Sequence, residues 1–275
     1  MSKSRVHSCL IMVLLFAWTG CGRKQAQVME SHDAAPAPLS DQQISRLNAM
    51  KIFFGHQSVG ENIIEGIHDI MDQDHRLKLN FVSSAEPQSV SGPAFVDSLI
   101  GKNGNPRSKD KAFADILARG MGSQGGIALY KYCYVDIDLA TDVQQLFEEY
   151  RTEIDGLTVK YPSLIIVPVT IPLTTDDASL KTWVKTMIGR PTSRDVNMKR
   201  NQFNALLRKN YGDKPIFDLA QIESTHPDGS RSYVENRGQT IYTLAPELTT
   251  DGGHLNQTGR RAAAQQLLQV LAGLS

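Results

Sequence analysis

Strand-like apolar runs alternate with helical patterns along most of this chain, and that alternation restricts the fold more than any other feature. The run "SLIIVPVTIPL" is almost continuously apolar, as strands buried on both faces of a parallel sheet are. "KIFF" precedes "GENIIEGIHDIMD", in which Ile63, Ile64, Ile67, Ile70 and Met71 recur at helical spacing. "LKLNFVSS" reads as a second strand, followed by a Gly/Pro/Asn-rich stretch and the short helix "KDKAFADILARG". A third strand, "GIALYKYCYVDI", leads into the amphipathic helix "DVQQLFEEYRTEIDGLTVKY". After "SLIIVPVTIPL" come the helix "NMKRNQFNALLRKNY", a short fifth strand "PIFDLA" and the closing helix "NQTGRRAAAQQLLQVLAGL". This order predicts an α/β fold, a three-layer α/β/α sandwich with a five-stranded parallel sheet. Ligands of such sheets bind at the carboxyl ends of the strands, so the loops there are expected to carry the chemistry.

Composition narrows the function classes. The chain of 275 residues has 29 basic and 29 acidic side chains. That balance carries no electrostatic signature for nucleic acid, so no nucleic-acid partner is expected. A mean hydropathy of -0.27 excludes a polytopic membrane protein. Residues 1–21 read as a signal peptide: Lys3 and Arg5 form a positive start, "CLIMVLLFAW" an apolar run, and Thr19-Gly20-Cys21 a lipobox-like end with Cys21 as the lipidation site. Trp18 stands where such signals usually have Leu; the plain alternatives are an uncleaved anchor or an ordinary secretory signal. Residues 22–45, with "AAPAPLSDQQ" among them, are expected to be a disordered tether, because they offer little apolar area to offset ordering entropy. Residues 46–275 are then one domain, lipid-anchored at a bacterial cell envelope. Of three cysteines only Cys133 lies in that domain. Neither a disulfide framework nor a cysteine-based metal site follows, and Cys133 reads as a small buried hydrophobe in a strand.

Ser58 lies directly after the first strand, at the start of the first helix, between Gly55 and Gly60. Serine there is an ordinary N-cap. The flanking glycines, however, allow a tight turn and close approach by another molecule. A helix N-terminus also supplies donors for an oxyanion beside Ser58. Near the other end, "DGGHLNQTG" places Asp251 three residues before His254 in a Gly-rich loop. A carboxylate so close can orient the imidazole that a serine nucleophile needs. The plain alternative is a surface turn, with Asn256 or Thr258 capping the last helix.

Together these residues resemble the SGNH, or GDSL-type, hydrolase superfamily, as a divergent member. Its serine follows the first strand, and its D-x-x-H motif precedes the final helix. The resemblance spans nearly all of residues 50–275 and is strongest in "HLNQTGRRAAAQQLL". It implies a flavodoxin-like sandwich, with Ser58 as nucleophile, His254 as general base and Asp251 as its orienting carboxylate. It also implies a cell-envelope ester hydrolase, such as a carbohydrate O-acetyl esterase, or an acyltransferase. The substrate would be a small-molecule or polysaccharide ester, and no cofactor and no metal is implied. The pattern departs in two places. Gly55-His56-Gln57-Ser58 replaces the family's Gly-Asp-Ser-Leu, and "KYCYVD" puts Tyr134 or Val135 where its oxyanion Asn stands. Gly101 is the candidate backbone donor, with Asn103 a substitute amide; Lys131, Tyr134 and His56 are further candidates. Lys131 reads as a charge snorkelling outward from a strand edge. Two other readings stand beside the esterase: a catalytically inactive envelope binding lipoprotein on this fold, and metal-dependent hydrolysis through His56, His254 and Asp251.

Overall fold

The computed structural model describes residues 38–176, 192–236 and 238–274; the signal segment, Cys21 and most of the expected tether lie outside them. In chain order the elements are α1 (Asp41–Asn48), β1 (Lys51–His56), α2 (Val59–Gln73), β2 (Phe81–Ser83), β3 (Ala94–Leu99), α3 (Pro106–Ala118), β4 (Gly126–Tyr130), α4 (Val143–Lys160), β5 (Leu164–Val167), α5 (Ser193–Tyr211), α6 (Leu219–Glu223), β6 (Tyr233–Asn236), β7 (Gln239–Tyr242) and α7 (Gln257–Ala272). Five parallel strands form one sheet in the order β2-β3-β1-β4-β5, and β6 and β7 form a separate antiparallel hairpin. Strand alternation sorts the core. Ile52 and Phe54 of β1 pack with α1, α2 and α7, and Phe53 packs with α3, α4 and α5. This is the predicted three-layer α/β/α sandwich. Each fully buried Ile or Phe of these layers contributes about 1.5–3 kcal/mol.

The strands differ in detail from their reading. β3, "AFVDSL", fills part of the stretch expected to be a long loop, because six residues hemmed by turn formers carry a weak pattern. It pairs directly with β1, from Lys51↔Ala94 to His56↔Leu99. "LKLNFVSS" contributes only the three residues of β2, at the sheet's edge. "PIFDLA" is no full strand. Phe217 makes one parallel bridge to Val169, and Asp218 then caps α6. β4 ends at Tyr130, before Lys131 and Cys133. Helix is present before residue 46, since Ser40 starts α1 with a capping box and Leu39, Ile44 and Leu47 enter the core.

Two features set up the sheet's carboxyl edge. β1 is central, so the loops after β1, β3 and β4 meet there, as expected where windings diverge from a middle strand. And α7 lies hard against α2: a Cβ on Gly66 would sit 2.2 Å from the Arg260 carbonyl oxygen. Arg260 reaches both Asp69 and Glu65 of α2 at 2.8 Å. That packing carries the loop before α7 to the start of α2. Among the described residues no helix is long and apolar enough to cross a membrane.

Candidate active site

Ser58 is the only described non-glycine residue with positive φ, at φ 41 and ψ -95. A side chain in that region costs about 1–3 kcal/mol, and such strain persists only where surrounding structure holds it. Ser58 occupies the N-cap position of α2, yet its hydroxyl caps nothing. Its Oγ lies instead 3.2 Å from His254 Nε2. The flanking glycines serve space rather than turn geometry. A Cβ on Gly60 would stand 2.3 Å from His56 Cβ, and one on Gly55 would stand 2.6 Å from Ile100 Cδ1.

The histidine loop is built around one carboxylate. Asp251 Oδ1 accepts the backbone N–H groups of Gly253 at 2.9 Å and His254 at 2.8 Å, and Oδ2 lies 2.6 Å from His254 Nδ1. Bonds from the His254 backbone and ring, then Gly253, hold the Asp251 carboxyl far below its ordinary range. It is therefore held as the anion at neutral pH. With Nδ1–H donating to that anion, Nε2 is left to accept from the Ser58 hydroxyl. Asn62 in the first turn of α2 ties the two halves, accepting the Leu255 N–H at 3.1 Å. Asn256 caps α7 through the Gly259 N–H. Sequence reasoning passed over Asn62; a polar residue beside the apolar stripe of α2 was its only signal.

The remaining expected site residues divide. Gly101, at φ 59, follows β3 beside the Ser58 turn. Gln57 Nε2 donates to the carbonyls of Ile100 at 3.2 Å and Gly101 at 3.3 Å. The N–H groups of Ser58 and Gly101 make no hydrogen bond among the described residues. Asn103 is exposed, and its Oδ1 faces Lys109 Nζ at 3.2 Å. Its partner is thus Lys109, not Ser58 or His254. Lys109 and Asp136 form a fully buried ion pair. Asp136 also accepts the N–H groups of Gly104 at 2.8 Å and Cys133 at 2.6 Å. That pair ties the first turn of α3 to the loop after β4, and through Gly104 Asp136 also holds the loop after β3.

Three sequence readings are corrected here. Lys131 does not snorkel: it is fully buried after an interior strand, with its Nζ 3.5 Å from Cys133 Sγ. Cys133 is buried, as read, but in the loop rather than a strand. His56 does not join His254 and Asp251; it is fully buried, stacked on Phe54, and turned to Asp97 Oδ2 at 3.3 Å. Asp97 in turn accepts from Ser83 Oγ at 2.8 Å.

Glu223, at the end of α6, is buried beneath the same edge and accepts the Leu173 N–H at 2.6 Å. Burial pushes its carboxyl up to about 8, against opposing pulls from that N–H, Lys131 and Arg200. A folded pKa above the unfolded value favours the protonated fold. The stability it confers is complete below about pH 4.5 and lost as pH rises through about 8. Glu223→Gln is therefore expected to melt near wild type at pH 5 and progressively above it towards pH 9. Scanning calorimetry across that range checks this; a pH-independent difference would contradict it.

No protein-family model matches the chain, and no curated protein does. Solved structures with a similar overall fold are distant. A protein assigned as a platelet activating factor from Streptococcus pneumonia is 13% identical, with 84% of this chain and 91% of that chain covered at a TM-score of 0.45. A protein assigned as lipolytic, of the G-D-S-L family, from Desulfitobacterium hafniense DCB-2 is 9% identical, with 80% and 99% covered at 0.43. The periplasmic domain of a Salmonella ser. Paratyphi A lipopolysaccharide acetyltransferase is 12% identical, with 80% and 83% covered at 0.44.

Proposed function

We propose that this chain is a serine ester hydrolase of the cell envelope. Ser58 is the nucleophile, His254 the general base and Asp251 the carboxylate that orients it. The observation that carries the reading is the hydroxyl of a strained serine, not used as a helix cap, lying 3.2 Å from an imidazole whose other nitrogen meets an anion. Ser58 Oγ attacks the ester carbonyl carbon while His254 Nε2 takes the hydroxyl proton. The negative charge then forming on the carbonyl oxygen faces the N-terminus of α2, where the Ser58 N–H and, across the edge, the Gly101 N–H serve as donors. Collapse of this intermediate breaks the ester C–O bond, and the leaving alcohol takes the proton from His254. A water molecule, deprotonated by His254, then attacks the acyl-serine and releases the acid. A sugar hydroxyl in place of that water makes the same machinery an acyltransferase.

Asp251 and His254 are both well exposed, with side chains 53% and 41% accessible. An open site of this kind suits an ester displayed on a larger molecule, so the substrate class we assign is acyl esters of envelope carbohydrate, acetyl groups included. Placement at the envelope, with Cys21 as the lipid-bearing residue, rests on the N-terminal pattern of the sequence.

A fluorophosphonate probe tests the nucleophile. The expected result is one label on Ser58 of the folded protein and none on Ser58→Ala. Absence of labelling, or equal labelling of both, would leave the binding-protein reading in its place.

A further inference from the structure

Tyr134 stands apart from the other tyrosines near this edge. Tyr130 and Tyr132 are buried and donate their hydroxyls to Asp110. The Tyr134 hydroxyl makes no hydrogen bond among the described residues, and its side chain is partly buried. The ring meets the His254 imidazole edge-on, with centroids 5.8 Å apart and planes at 74°. A Cβ on Gly253 would stand 2.9 Å from Tyr134 Cζ and 3.1 Å from Oη, so the hydroxyl end lies against the main chain just before His254. On its other side the Arg200 guanidinium sits 5.8 Å from the ring centre, and Arg200 Nε donates to the Tyr134 carbonyl at 2.9 Å. Arg200 is itself buried and held by Asn197 and Thr174.

The Tyr134 side chain is only partly buried and its hydroxyl is not sealed in the core, so its O–H donor is open to another molecule. Here the free donor sits on the rim beside the imidazole that reaches Ser58, where substrate must approach. We propose that Tyr134 is a further catalytic residue: its Oη–H donates to the carbonyl oxygen of the bound ester and strengthens that bond as the oxyanion forms. The proposal rests on the serine-hydrolase reading and adds a side-chain donor to the two backbone N–H groups. Burial and the nearby Asp251 charge hold the phenol above its ordinary range, so it keeps the proton it must donate. No proton is transferred in this role.

The test is Tyr134→Phe, which removes one oxygen and keeps the ring packed against His254, Gly253 and Arg200. With p-nitrophenyl acetate, kcat is expected to fall by about a hundredfold or more, the usual effect of losing one such donor. KM should stay within about threefold, since the bond matters most in the transition state. Labelling of Ser58 by the fluorophosphonate should slow in parallel, because the phosphoryl oxygen occupies the same place. Thermal melting serves as the control for folding. Wild-type kcat and labelling rate in Tyr134→Phe would overturn the role of Tyr134 while leaving the hydrolase reading intact. A wild-type protein without Ser58-dependent turnover would overturn both.

Discussion

Replacing Ser58 by glycine is expected to abolish ester turnover and raise the melting temperature at the same time. Loss of the hydroxyl removes the proposed nucleophile, so kcat should fall by on the order of 10⁴ to 10⁶. The backbone effect has the opposite sign. Ser58 holds φ 41 without glycine's freedom, at a cost of about 1–3 kcal/mol. Glycine relieves that strain and gives back roughly 0.5–1 kcal/mol through its more flexible unfolded state. No cap is lost, because the Ser58 side chain makes none. The net gain is about 1 kcal/mol, or roughly 2–4 °C for a domain of this size. Ser58→Ala separates the two effects: equally inactive, it keeps the strain and should melt close to wild type. A glycine variant that melted well below the alanine variant would mean that the turn stores no strain.

The largest expected loss of stability follows from cutting the buried ion pair. Lys109→Met leaves Asp136 charged and out of water, with both side chains of the pair at 0% exposure. Removing one partner of such a pair typically costs about 3–5 kcal/mol, a large share of the 5–15 kcal/mol that holds a typical domain together. Denaturant unfolding measures it directly. The double variant Lys109→Met, Asp136→Asn should be markedly more stable than the sum of its single changes, since the orphaned charge is gone. Turnover should suffer beyond the loss of stability. Lys109 packs under Gly101, whose Cβ would lie 2.7 Å from the Lys109 backbone nitrogen, and Asp136 anchors the loop that holds Tyr134. An additive double variant would show that the two side chains do not depend on each other.

These predictions concern groups of different legibility. Ser58, Asp251 and His254 stand out in the sequence because their signals are local: a serine at a strand-to-helix seam, and a carboxylate three residues before a histidine in a glycine loop. Asp110, Lys109 and Asp136 have no such mark. A lysine in "KDKAFADILARG" reads as a solvated helix face, and only contact with a residue 27 positions away makes it a buried staple. Lys131 misleads for a related reason. Its apolar flanks suggested a strand running through it, whereas β4 stops at Tyr130 and the chain turns inward. Likewise β3 is short and bounded by turn residues, so its place next to β1 comes from long-range pairing rather than from its own pattern.

By itself the sequence determined the α/β class and the parallel sheet and marked a front serine and a rear D-x-x-H motif, because periodicity and short motifs act over a few residues; that the two belong together came from the family resemblance. Tertiary structure alone decided the strand order, the positive φ that frees the Ser58 hydroxyl, the free donor on Tyr134 and the staple between α3 and the loop after β4. Each of those depends on surfaces brought together from distant parts of the chain. Strain, burial of charge and an unpartnered hydroxyl are properties of surroundings, and surroundings exist only once the layers have packed.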